Sequence, residues 1–207
     1  MNKKVSIIIP CFNGERFIDR CLHSIEIQNY PHIEVVVVND GSIDQSESKI
    51  LEWKEVLENK KISLIYIKQK NQGIGSAINT GLKYISGEYL LLLDIDDEYL
   101  QGALLERVQF LESHREMDVV RSNGWYVRKN GKSLFIYENV RKIFRMFLRH
   151  YWKGRQIIGL EVIWLECLPC LNFILKEKFI NQNMDKIYNC YCHCFTIKNV
   201  DLLINHI

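Results

Sequence analysis

An α/β fold, a mostly parallel sheet flanked by helices, is what this sequence predicts, on three observations. Short apolar, β-branched runs alternate with helix-periodic stretches through the first half of the chain. The runs are nearly continuous in apolar character, as strands buried on both faces are. Polar clusters follow the runs at residues 10–13, 39–42 and 94–97, where open parallel sheets hold ligands beyond the carboxyl ends of their strands.

Residues 5–9 form the first strand, ended by Pro10, and after Gly14 the spacing of Phe17, Ile18, Cys21, Leu22 and Ile25 makes one apolar helical face. Residues 33–38, with four consecutive valines, form a second strand that ends in Asn39-Asp40-Gly41-Ser42. An amphipathic helix over 44–59 follows, with Ile50, Leu51, Val56 and Leu57 expected inward. The unit repeats with a strand at 62–67, a helix at 74–85, a strand at 89–93 and a helix at 102–114. Right-handed crossovers between such units give a parallel sheet. Residues 119–127 and 133–137 flank Lys129-Asn130-Gly131-Lys132, and Asn-Gly is a strong hairpin signal, so an antiparallel pair is expected to close this half.

Length and charge narrow the function classes. With 207 residues, one main domain is expected. Lys and Arg total 27 against 25 Asp and Glu, and a net charge of +2 provides no field suited to tracking a phosphate backbone, so nucleic acid is not an expected partner. The first residues carry a basic head but no signal-peptide core or cleavage site, which points to a cytoplasmic start. No apolar stretch reaches the roughly 18–20 residues that cross a bilayer, although residues 160–175 are apolar enough to suggest peripheral contact with the inner face of a membrane. A disulfide framework is not expected from the seven cysteines.

Asp94-Ile95-Asp96-Asp97 places three carboxylates within four positions, a density that a divalent cation would compensate. Hard oxygen ligands suit Mg or Mn, which take one or two protein carboxylates and complete their shell with phosphate oxygens and water. The same residues also suit a solvated turn with Asp97 at a helix N-terminus. Asp40 could accept from a nucleobase N–H, or its Asp-Gly-Ser context could be turn and helix-cap chemistry. Gly73-Ile74-Gly75 lacks the third glycine of a dinucleotide fingerprint, and Gly131-Lys132-Ser133 lacks the earlier glycine of a P-loop, so neither supports a dehydrogenase or an NTPase.

In order, Val5-Ser6-Ile7-Ile8-Ile9-Pro10-Cys11-Phe12-Asn13, Val36-Val37-Val38-Asn39-Asp40-Gly41-Ser42, Asn71-Gln72-Gly73 with Asn79-Thr80-Gly81, Gly87-Glu88-Tyr89 and Leu92-Leu93-Asp94-Ile95-Asp96-Asp97 resemble family-2 glycosyltransferases. The resemblance covers about residues 3–138 and implies the GT-A fold, a nucleotide-diphosphate sugar donor, with uridine the expected base, and a saccharide or lipid-linked acceptor. Pro10, Phe12, Glu15 and Asp40 match positions that hold the nucleoside, and Asn79 and Asp94 fall with the same nucleotide-sugar site. Asp96, second of the Asp-x-Asp pair, matches the position that reaches the metal, Mn or Mg. The implied reaction is displacement at the anomeric carbon by an acceptor hydroxyl, with inversion and metal assistance, in polysaccharide biosynthesis. One departure is Ile78, where the family often has an arginine.

The resemblance implies a nucleotide-sugar-binding domain over 1–138 and leaves 139–207 as an atypical tail, expected to be mainly helical or poorly ordered. The family places its acceptor site and catalytic base in its second half, and no base stands out here. Back-translation of residues 157–166 with allowed codons, read from the third base, permits Tyr-Trp-Ala-Gly-Ser-Tyr-Met-Val-Arg, which resembles an acceptor-side segment. A second string across 179–197 behaves likewise, so a frameshift near 139–141 is one account of the tail, and the chain would then be a truncated, inactive remnant that binds nucleotide sugar. Taken at face value instead, Cys167, Cys170, Cys190, Cys192 and Cys194 offer soft ligands for zinc in an interaction protein.

Overall fold

The computed structural model describes residues 3–115, 117, 119–122, 125–127, 133–135 and 195–198. Its first four strands are β1 (Val5–Cys11), β2 (Ile33–Asp40), β3 (Ser63–Gln69) and β4 (Tyr89–Leu92). Between and after them run α1 (Ile18–Glu26), α2 (Ser46–Asn59), α3 (Ile74–Leu82) and α4 (Ala103–Ser113). Three-residue strands follow, β5 (Val119–Arg121), β6 (Trp125–Val127) and β7 (Ser133–Phe135), and then β8 (Phe195–Lys198).

The main sheet has the order β3-β2-β1-β4-β8-β5. β1 pairs in parallel with β2 and β4, and β2 pairs in parallel with β3, so the four strands that the sequence alternation marks form one parallel block. β8 lies antiparallel between β4 and β5, with Thr196 opposite both Leu91 and Val120. A four-residue strand from the tail therefore enters the sheet, and the rest of the segment expected to be mainly helical or poorly ordered lies outside the described residues. The expected hairpin forms as a separate two-stranded sheet of β6 and β7, while β5 belongs to the main sheet.

Every residue of β1 and β2 is buried. Because successive side chains point to opposite faces, the strands feed two cores. Ile7, Ile9, Val35, Val37 and Leu91 meet α1, α2 and α4 on one face, and Ile8, Val36, Val38 and Leu90 meet Ala77, Ile78 and Leu82 of α3 on the other. The α2 face differs from expectation. Ile50 and Leu57 are fully buried and Trp53 packs against the core they belong to, whereas Leu51 and Val56 are 47% and 41% exposed. Positions 50, 53 and 57 lie on one helical stripe, and 51 and 56 fall on its flanks.

Among the described residues no helix is long and apolar enough to cross a membrane. The apolar stretch at 160–175 and the five tail cysteines lie outside the described residues.

Candidate functional site

Three loops at the carboxyl ends of β1, β2 and β4 surround a cleft of about 280 Å³ lined by Pro10, Cys11, Phe12, Asn13, Phe17, Asp40, Ile74, Asp94, Ile95 and Asp96. This is the sheet edge at which doubly wound folds hold ligands. Pro10, Phe12, Asp40, Asp94 and Asp96, expected from sequence, are thus brought together. Phe12 is 50% exposed, an aromatic face open to a planar group.

The loops are locked to one another. Asn13, at φ 50°, accepts from Ile43 N through Oδ1, while its own N–H donates to Ser42 Oγ at 3.0 Å. Asparagine tolerates this left-handed backbone better than most residues. Gly41, at φ 76°, lies so close to the β3–α3 turn that a Cβ there would meet Asn71 N at 2.7 Å. Only glycine satisfies both conditions.

Asp40 is 3% exposed, and its carboxylate anchors that same turn. Oδ1 accepts from Gln69 Nε2 at 2.7 Å and Gln72 N at 3.0 Å, and Oδ2 from Gly73 N at 2.8 Å. The residue therefore closes the start of α3, whose N-cap is Gly73. The alternative of a cap for α2 is not what forms: there Asp44 Oδ1 accepts from Ser46 N at 3.0 Å.

The Asp94–Asp97 segment is a turn in which Asp97 N donates to Asp94 O at 3.0 Å. Asp97 does not start a helix, since α4 begins at Ala103 after a left-handed Gly102. From below, Tyr99 Oη donates to Leu92 O at 3.0 Å and the Cys21 thiol approaches Asp94 O at 3.8 Å. Burial, and then the nearby acids led by Asp97, push the Cys21 thiol well up, so it stays a neutral donor. Burial likewise raises Cys11 above its ordinary value, against hydrogen bonds that favour the thiolate.

Two expected site residues fall elsewhere. Glu15 Oε2 accepts from Gln45 N at 3.0 Å and its own N–H donates to Asp44 Oδ2, so it braces the β1–α1 loop against the β2–α2 loop and does not line the cleft. Asn79 is half-buried on α3, also outside the lining. Ile78, the departure from the family pattern, is 3% exposed in the smaller core. Cys11, Asn13, Phe17, Ile74 and Ile95 also line the cleft and were not among the expected site residues. Phe17 was placed on the inward face of α1, but it occupies the N-cap position, 36% exposed, and turns to the cleft.

Among the described residues no group of three or more His, Cys, Asp or Glu side chains is placed to hold a metal ion, so the three carboxylates do not act as a cage. Of these three, Asp94 and Asp96 line the cleft. One or two carboxylates are what a Mg or Mn ion shared with a diphosphate takes from protein, so the donor set fits such an ion.

A mostly parallel sheet flanked by helices, with paired aspartates at the ligand edge, defines a class, the Rossmann-like α/β folds. Within that class, the sequence profile described as Glycosyl transferase family 2 matches residues 6–198, and the chain belongs to this family. It is 41% identical over 97 residues to "Glycosyltransferase GlyA" of Streptococcus pneumoniae serotype 4, covering 47% of this chain and 13% of that protein. It is 34% identical over 122 residues to "Minor teichoic acid biosynthesis protein GgaB" of Bacillus subtilis, covering 58% of this chain and 13% of that one. The chain spans well under half the length of the curated relatives it matches. Among solved structures, S. aureus TarS 1-349 in complex with UDP-GlcNAc aligns with TM-score 0.50 and 35% identity, over 56% of this chain and 33% of that one. The mannosyltransferase PcManGT from Pyrobaculum calidifontis, in complex with GDP-Man and Mn2+, aligns with TM-score 0.54 and 24% identity, over 70% of this chain and 38% of that one, and supports the fold.

Proposed function

We propose that the chain binds a nucleotide-diphosphate sugar, with uridine as its nucleoside, and transfers the sugar to a saccharide or lipid-linked acceptor in polysaccharide biosynthesis at the cytoplasmic face of a membrane. The observation that carries this reading is the convergence of Asp40, Asp94 and Asp96 with Pro10 and Phe12 on one cleft. Phe12 offers a stacking face, Asp40 an acceptor for a base N–H, and the paired aspartates an attachment for the diphosphate end. The relative solved with UDP-GlcNAc supports the choice of uridine.

Asp96, exposed in the cleft, and Asp94 beside it would hold a Mg or Mn ion, which when bound supplies positive charge to the departing diphosphate. The acceptor hydroxyl attacks the anomeric carbon, the carbon–oxygen bond to the diphosphate breaks with inversion, and a carboxylate base takes the hydroxyl proton. The protein's part at the described residues is to fix the nucleoside and diphosphate so that this carbon faces the acceptor.

Titration calorimetry of the full chain with UDP, with and without Mn2+, tests the reading. Metal-dependent binding that falls by about tenfold or more in Asp96→Asn is expected, and release of UDP from UDP-sugars in the presence of acceptor should follow. Binding without turnover would instead identify a non-catalytic nucleotide-sugar-binding protein, and absence of any metal-dependent nucleotide binding would sink the proposal.

A further inference from the structure

We propose that Gln69, held by Thr80, is a positioning residue that fixes how many acceptor sites Asp40 has left and so selects uracil over guanine; this rests on the nucleotide reading above. Gln69 is the last residue of β3, and Thr80 lies on α3 across the turn between them. Thr80 Oγ1 donates to Gln69 Oε1 at 2.6 Å, and Gln69 Nε2 donates to Asp40 Oδ1 at 2.7 Å. A carboxylate only accepts, so the amide must turn its NH2 to Asp40 and its oxygen to Thr80, whose hydroxyl is thereby committed as a donor. The orientation of all three groups is settled by one charge.

A carboxylate has about four acceptor sites. Gln69 Nε2 and Gln72 N fill the two on Oδ1, and Gly73 N fills one on Oδ2. Among the described residues these are its partners, which leaves a single site on Oδ2 of a residue that lines the cleft. Uracil presents one N–H on its pairing edge, between two carbonyl oxygens, and one acceptor satisfies it. Guanine presents a ring N–H beside an exocyclic amine, two adjacent donors that call for both oxygens of a carboxylate. Against Asp40 as Gln69 leaves it, guanine would keep a desolvated donor without a partner, which disfavours it by about tenfold or more. Removing the Gln69 donor opens a site on Oδ1 and frees the carboxylate to turn, which should admit guanine and loosen the fit to uracil.

Calorimetric titration of the full chain with UDP and with GDP, at fixed Mg2+, reads this out as a ratio of affinities. Gln69→Leu, nearly isosteric but without the donor, and Thr80→Val, which removes the hydroxyl that orients the amide, should each lower the UDP-over-GDP ratio about tenfold. Thr80→Ser, which restores the hydroxyl, should keep the parent ratio. If Gln69→Leu fails to fold, the Thr80 pair reads the same relay from its far end. Loss of both nucleotides in equal measure, with the ratio unchanged, would show that Gln69 serves only the fold and would overturn the inference. Asp40→Asn, run beside them, separates the two levels: if it abolishes the UDP preference while the Gln69 and Thr80 variants do not, Asp40 reads the base and the relay does not matter. If the parent chain binds neither nucleotide, the reading of the site fails and the inference with it.

Discussion

At the scale of single residues, the cleft depends on contacts too close to admit another atom. Gly14 follows Asn13 in the β1–α1 loop, and a Cβ placed on it would lie 2.8 Å from Ile95 Cγ1 and 3.0 Å from Cys11 Sγ. Ile95 stands in sequence between Asp94 and Asp96, which line the cleft with it, so a shift of the Ile95 backbone carries both aspartates with it. Gly14→Ala should cost about 1–3 kcal/mol of unfolding free energy, as overpacking in a closed site does. Mn2+-dependent UDP affinity should fall at the same time. Adding Ile95→Ala makes room for the new methyl group and should return part of both quantities, because the two sites are in contact and not additive. Urea unfolding and calorimetry on the single and double variants check this. Equal loss in the single and the double variant would show that the Gly14 contact does not control the aspartate loop.

At the scale of elements, the opposite end of the sheet is tied by a buried glutamate. Glu34 near the start of β2 is 3% exposed and accepts from Ser6 Oγ of β1, from Ser86 N and from Ser86 Oγ in the α3–β4 loop, with Lys4 Nζ at 3.5 Å. Burial works to raise its pKa, but the hydrogen bonds from Ser6 and Ser86 and the charge of Lys4 outweigh it and hold the carboxyl below its ordinary 4.5. A depressed native pKa gives stability that is fully present above the unfolded-state value and is lost as pH falls through the folded one. Unfolding free energy should therefore decline from about pH 4.5 downward. Glu34→Gln should be less stable by about 1–3 kcal/mol at neutral pH and should show a shallower decline in acid. Urea titrations of both proteins between neutral and acid pH would detect it, and parallel pH profiles would remove Glu34 as the origin. These elements also show what a sequence displays and what it hides. The runs of Val and Ile in β1 and β2 are legible because a strand buried on both faces tolerates little else, and the three polar clusters are legible because they end those strands. Leu51 and Val56 mislead because α2 carries apolar residues on more than one side and only packing decides which side is inward. The bracing contacts of Glu15 are hidden for another reason: their partners, Asp44 and Gln45, come from a loop about thirty positions away that sequence spacing does not connect to it. Gln69 carried no motif at all, since its meaning arises only where β3, α3 and Asp40 meet.

At the scale of the whole molecule, the question is what completes the sheet. β4 pairs with β1 on one side and β8 on the other, and β5 is held in the main sheet by β8. Without β8, β4 would present an open ladder of backbone donors and acceptors in the middle of the fold, the kind of edge that recruits other chains. The family profile reaches residue 198, the last residue of this strand. A tail read in a displaced frame after about residue 140 would have no reason to contribute a strand in register with Leu91 and Val120, whereas a tail native to the fold would. Thr196→Pro decides between the two, because proline removes a ladder N–H and is not accommodated in a central strand, and Thr196 is paired on both sides. We expect Thr196→Pro to lower unfolding free energy by about 1–3 kcal/mol and to promote self-association, with Thr196→Ala close to the parent. Chemical unfolding and size-exclusion chromatography of the three proteins are the measurements. A Thr196→Pro variant as stable and as monodisperse as the parent would mean that the tail adds nothing to the sheet, and would return the frame-displaced, truncated glycosyltransferase as the better account of residues 139–207.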